Sequence, residues 1–183
     1  MADIWVWIVL AVGVLSAAVG GFFGVRALWL SSVHRTLVSL VGRREGILAS
    51  RRALEAVIFH LAEGDDTGLE EFALHPESED RRALAEVAAS MEIAVEELDT
   101  RALPGSLVPV AEGLADAAFV VYEEAARVGE SAEPEEVFEA LTAIDLARVS
   151  TVFDAADGRL KTACKRYHLD EDEIAVYGGG LYI

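Results

Sequence analysis

Residues 4–25 read IWVWIVLAVGVLSAAVGGFFGV, 22 consecutive uncharged and mostly apolar residues, and the chain has no second run like it. At about 1.5 Å per residue a helix of that length spans ~33 Å, enough to cross a hydrocarbon core of roughly 30 Å. A helix that is apolar on every side needs either lipid or a large protein core around it. A chain of 183 residues offers no obvious core of that size. The expected first element is therefore a single transmembrane anchor over residues 1–31. A cleaved signal peptide would need a basic leading segment and a shorter apolar stretch, of about 7–15 residues. Asp3 is the one charged side chain ahead of this run.

The flanks set the expected orientation, because Lys and Arg close to a span stay on the cytoplasmic side. None precedes the run, whereas Arg26, Arg35, Arg43 and Arg44 follow it. The reading is a cell-membrane protein with its N-terminus outside and its main domain in the cytoplasm. Trp5 and Trp7 at one border, and Trp29 with Arg26 and Arg35 at the other, match the two membrane interfaces. Inside the run, Gly13, Ala17 and Gly21 form one ridge of small residues at four-residue spacing. Ser16, Gly20 and Gly24 form another. Ridges of this kind let helix backbones approach closely in lipid, so a packing partner or a second copy is expected there.

Charge is distributed unevenly. The chain carries a formal net charge of −17, yet residues 1–52 hold six arginines against only Asp3 and Glu45. All other acids lie in the remainder, which such a balance makes repellent to nucleic acid and to anionic lipid. The expected partners are the lipid bilayer and another protein or a second copy, with no nucleic acid and no small-molecule substrate. One cysteine, Cys164, excludes an intrachain disulfide framework.

Helical periodicity dominates the rest. Val33, Leu37, Leu40, Arg44, Ile47, Arg51, Leu54, Ile58 and Leu61 alternate by four and three, a heptad seam with arginine at two positions. Turn signals at EGDDTG, LPGS and SAEP divide the sequence beyond that seam. The expected architecture is all-α: a single N-terminal transmembrane helix continuing into an antiparallel helical bundle over residues 32–168. Its helices are expected at about 32–62, 79–102, 108–128 and 134–167. Residues 169–183 form an acidic and then glycine-rich tail. The third helix carries an apolar stripe from Val110 to Val128, and the fourth carries one from Val137 through Phe138 and Phe153 to Tyr167. Asp145 falls near the fourth stripe and is the expected partner for Arg44 or Arg51 in a buried ion pair.

Groups that could do chemistry are scattered. His34, His60, His75 and His168 stand in four different segments, and no Glu-x-x-His pair of the di-metal bundle type occurs. Cys164 and His168 share a helical face only if the helix extends that far. The Asp170–Glu173 acids read as a solvated run. No phosphate-binding loop, dinucleotide loop, nucleophile elbow or zinc-protease helix is present. No catalytic, metal or cofactor site is therefore expected. The terminal segment holding Tyr177, Leu181, Tyr182 and Ile183 is apolar and rich in glycine, a candidate for docking on a partner.

A short outer end, one span and a long-helix bundle resemble in layout the LemA-type bacterial membrane proteins. Their Tyr-Asn pair after the span and their Leu-Ile-Pro-Asn-Leu segment have no counterpart, since residues 48–54 read LASRRAL. No residue role is carried over. The expected function is a membrane-anchored helical scaffold or adaptor that recruits partners at the cytoplasmic face. The alternative is a dimeric transducer relaying motion through the heptad stalk, and the minor alternative is a membrane-bound enzyme with an unrecognised polar site.

Overall fold

The computed structural model describes residues 2–64, 66–98, 100, 103–129 and 134–169, with the side chains of 2–25, 27, 66, 67, 129 and 134 outside the description. The described residues are all-α: α1 Ala2–Glu63, α2 Asp66–Leu74, α3 Glu79–Glu97, α4 Val108–Gly129, α5 Pro134–Thr142 and α6 Leu146–Arg166. They contain no strand. The chain divides into two compact units, residues 1–36 and 37–183, and α1 contributes to both.

In the first unit α1 is helical from Ala2 onward. Arg35 Nε and Thr36 Oγ1 donate to the Ser31 and Ser32 carbonyls at 3.5 and 3.0 Å, the back-bonding that polar side chains make one turn along a helix. Arg26, Trp29 and Arg35 are exposed. The side chains of Trp5, Trp7 and the two small-residue ridges lie outside the description. Among the described residues no helix is long and apolar enough to cross a membrane, and the side chains of the run at 4–25 lie outside that set.

In the second unit, residues 37–63 of α1 form a ring with α3, α4 and α6. The direction of each pair follows from its contacts. Arg43 meets Glu97 and His60 meets Asp80, so α1 and α3 are antiparallel. Arg44 meets Asp157 while Arg51 meets Ser150 and Asp154, so α1 and α6 are antiparallel too. α4 packs along both α3 and α6. The short helices α2 and α5 bridge α1 to α3 and α4 to α6 at the same end of the ring, where they touch each other. There they form a cap.

The α1 seam faces inward, with Leu37, Ile47 and Leu54 fully buried and Leu40 and Leu61 nearly so. Leu84, Val87 and Met91 meet it from α3, and Phe153, Ala156 and Leu160 line the inner face of α6. Each such aliphatic or aromatic side chain stabilises the fold by about 1.5–3 kcal/mol through burial. Gly113 of α4 faces α6: a Cβ there would lie in ordinary contact with the Ala156 Cα at 3.7 Å and crowd only the Arg159 guanidinium at 3.1 Å.

Helix ends follow local chemistry. Ser78 caps α3, its side chain accepting from the Arg81 N–H, with Glu79 and Asp80 in the positive first turn. α3 stops at Glu97, not near 102, because Leu98 turns into the core at 6% exposure. The helix expected over 134–167 is broken in two. Asp145 leaves the helical path and its carboxylate accepts the Arg148 N–H at 2.8 Å, capping α6. Nothing in the segment Thr142–Leu146 is glycine or proline. The break is imposed instead by that cap and by a bond from the Asp145 N–H to Glu124 of α4. α6 closes with the Leu169 N–H on the Cys164 carbonyl at 3.0 Å and the His168 N–H on that of Lys165 at 3.3 Å. His168 takes the left-handed conformation such a closure needs, φ 54°.

Candidate functional site

Two polar clusters and one exposed cap are where this bundle departs from a plain apolar core. The first cluster joins α1 to α6. The seam places Arg44 and Arg51 two turns apart on α1, and both guanidinium groups lie over the Phe153 ring of α6, at 5.7 and 5.2 Å from its centroid. A cation over an aromatic face is attracted by the ring quadrupole, by about 0.5–2 kcal/mol according to solvation. Arg44 Nε donates to Asp157 at 2.8 Å, and Arg44 also pairs with Glu45. Arg51 pairs with Glu55 at 2.7 Å and reaches Ser150 and Asp154 across the interface.

Burial alone would raise the Asp157 carboxyl, yet the hydrogen bonds from Lys161 and Arg44 outweigh it and hold Asp157 below its ordinary value. Burial likewise works against the Arg44 charge. Its bonds to Asp157 and Glu45 outweigh that cost and hold the guanidinium above its ordinary value. Arg44 and Arg51 are thus seam-edge residues with their stems packed and their heads in inter-helix pairs. Asp145 does not join them. It sits three turns away along the chain from Asp157, as the cap of α6.

The second cluster holds α4 to the α5–α6 joint. Glu124 is 1% exposed within the apolar stripe of α4. Its Oε1 lies 3.5 Å from both Arg127 and Arg148, and its Oε2 accepts the Asp145 backbone N–H at 3.4 Å. Arg148 also lies 2.9 Å from Glu123. The buried carboxylate therefore serves an N–H that the helix break would otherwise leave without a partner. Sequence reasoning passed over Glu124, although its spacing of three from Val121 and four from Val128 places it on the buried stripe.

The cap carries exposed apolar residues. Leu74 of α2 is 60% exposed and Phe138 of α5, expected in the core, is 39% exposed, because Val137 and Ala140 turn inward in its place. Above the inner face of α2, Phe72 is buried beneath Arg81, whose guanidinium stands 5.8 Å from its ring and donates to the Val128 carbonyl at 3.3 Å.

The remaining expectations separate. Cys164 is buried, and His168 lies beyond the end of α6 in a left-handed residue, so the two do not share a helical face. His60 and His75 are exposed beside Asp80 and Glu77. Among the described residues no group of three or more His, Cys, Asp or Glu side chains is placed to hold a metal ion. Asp170–Glu173, Tyr177, Leu181, Tyr182 and Ile183 lie outside the described residues. The expected likeness to LemA-type proteins stands on layout alone, for no family model, no curated protein and no solved structure matches this chain.

Proposed function

We propose that the protein is a membrane-tethered scaffold or adaptor whose helical bundle recruits a partner protein at the cytoplasmic face. The observation that carries this reading is the junction within α1 between an apolar run flanked on one side by arginines and a strongly acidic bundle. The run supplies the tether and the arginines its orientation, since basic residues near a span are retained on the cytoplasmic side and attract anionic headgroups. The acidic body repels that same surface, which favours a domain held clear of the lipid and open to proteins.

The polar clusters favour binding over chemistry. Arg44, Arg51 and Arg148 are engaged in pairs that fasten one helix to the next, and their acids are committed to the same task. The transducer reading rests on the small-residue ridges. It loses the stalk, because the seam from Leu37 to Leu61 is buried against helices of the same chain and is not open to a parallel coiled coil. Alkaline carbonate washing of membranes, followed by affinity purification in detergent, tests the proposal. The protein is expected in the washed membrane pellet and to bring one defined protein with it. Recovery in the wash, or elution alone, would overturn it.

A further inference from the structure

The cap combines two features whose conjunction specifies a partner. α5 is amphipathic with a face wider than the bundle covers. Val137 and Ala140 are buried, while Phe138 remains 39% exposed and Leu141, one turn on, is only half-buried. On α2, which touches α5, Phe72 and Ala73 face inward and Leu74 stands 60% exposed. The outer face of each short helix thus presents a large apolar residue.

Carboxylates surround both. Glu70 and Glu71 lie four and three residues before Leu74, and Glu135 and Glu139 lie three before and one after Phe138, all exposed. On a helix the spacings of three and four place Glu70 and Glu71 beside Leu74 and Glu135 beside Phe138, with Glu139 further round α5. None of the four enters an ion pair among the described residues, in contrast to Glu97 and Asp157 at the other end of the bundle. A second copy of the chain would bring the same acids and repel. The occupant that satisfies both the apolar residues and the charge is basic.

We infer that the α2–α5 cap is a docking surface for a basic amphipathic helix of another protein, its apolar residues on Leu74, Phe138 and Leu141 and its Lys or Arg side chains on the flanking glutamates. The nine-residue helices are about 13 Å long, so two to three turns of partner helix match the length of either one. The mode is that of an amphipathic helix laid on an apolar face, with charge choosing the partner. This inference rests on the adaptor reading and names its binding surface.

The test uses the full-length protein in one uncharged detergent throughout, so that partition of a probe into micelles is common to every variant. The probe is a fluorescent 18-residue helical peptide of leucine and lysine at amphipathic spacing, read by anisotropy. Relative to the unaltered protein, Leu74→Ser with Phe138→Ser is expected to weaken binding at least about tenfold, because it removes two of the apolar residues the peptide covers. Ile93→Ser with Phe119→Ser, exposed apolar residues on α3 and α4, is expected to leave it unchanged. Charge reversal at Glu70, Glu71, Glu135 and Glu139 to Lys is expected to abolish binding of the lysine peptide and to create binding of its glutamate counterpart. That gain cannot come from misfolding. Equal weakening by the two serine pairs, no gain on charge reversal, or no binding of the lysine peptide at all would overturn the assignment. Co-elution of a cellular partner that survives Leu74→Ser with Phe138→Ser would also overturn it, while leaving the adaptor reading intact.

Discussion

The α1–α6 interface and the α2–α5 cap treat charge in opposite ways. Toward the end marked by Tyr167, the α1–α6 interface draws charges of both signs together: Arg44 pairs with Asp157, which also meets Lys161 of its own helix. Tyr167 donates to Ser106 at 2.8 Å to close the same end. At the capped end, acids stand exposed on α2 and α5 beside apolar side chains left partly open to solvent. The contrast teaches that net charge is a poor guide to what a surface does. The paired charges act on the fold, whereas the exposed acids matter to whatever approaches it.

That contrast can be broken first at Phe153, which is 3% exposed and lies under two guanidinium groups. Phe153→Ala removes both the buried ring and the platform for Arg44 and Arg51. A loss of about 3–5 kcal/mol is expected in denaturant unfolding. A loss below about 1 kcal/mol would mean that the α1–α6 interface does not hold the bundle. Glu124→Ala comes next, at about 2–3 kcal/mol, since it removes the buried carboxylate that takes the Asp145 N–H and leaves Arg127 and Arg148 without that partner. Amide hydrogen exchange should quicken first at Ala143 to Arg148, and uniform quickening along α4 would contradict the proposed role.

Asp157 provides the pH arm of the comparison. Its folded value lies below its unfolded one, so its pairing stabilises the protein above the ordinary aspartate range. That contribution fades as pH falls through the lower folded value, in the window below about pH 4. Asp157→Asn should remove about 1 kcal/mol at neutral pH and flatten that part of the acid slope. His168→Gly relieves a left-handed residue at the end of α6 and should add about 0.5–1 kcal/mol. At the small end, Leu74→Ser should change stability by about 0.5 kcal/mol and Phe138→Ser, which is 39% exposed, by about 1 kcal/mol. A large loss at either would place it in the core and erase the difference between the interface and the cap.

Periodicity made much of this fold legible. The seam residues Leu37, Leu40, Ile47, Leu54 and Leu61 and the stripe from Val110 to Val128 are buried where the spacing of apolar residues placed them, while Ile58 gives way to its neighbour Val57 in the core. What it missed depends on contacts between distant segments. The residues from Pro134 to Tyr167 have uninterrupted helical spacing, and the break at Asp145 arises from a cap and from a carboxylate 21 residues earlier on α4. Val137 is buried as its spacing placed it, whereas Ala140 turns inward beside it and Phe138 is left partly outside. Arg44 and Arg51 were recognisable as seam residues needing acids, but their partners Asp157 and Asp154 follow from the antiparallel register of α6, which no single helix encodes. The cap was invisible for a related reason: α2 and α5 are distant in sequence and meet only through the bundle.

The most direct test of the adaptor reading is native mass spectrometry of the full-length protein purified from membranes in mild detergent. An adaptor should appear as a complex in which the 19.7 kDa chain is accompanied by a different protein in fixed ratio. A spectrum holding only the single chain, or only whole multiples of it, would contradict that reading.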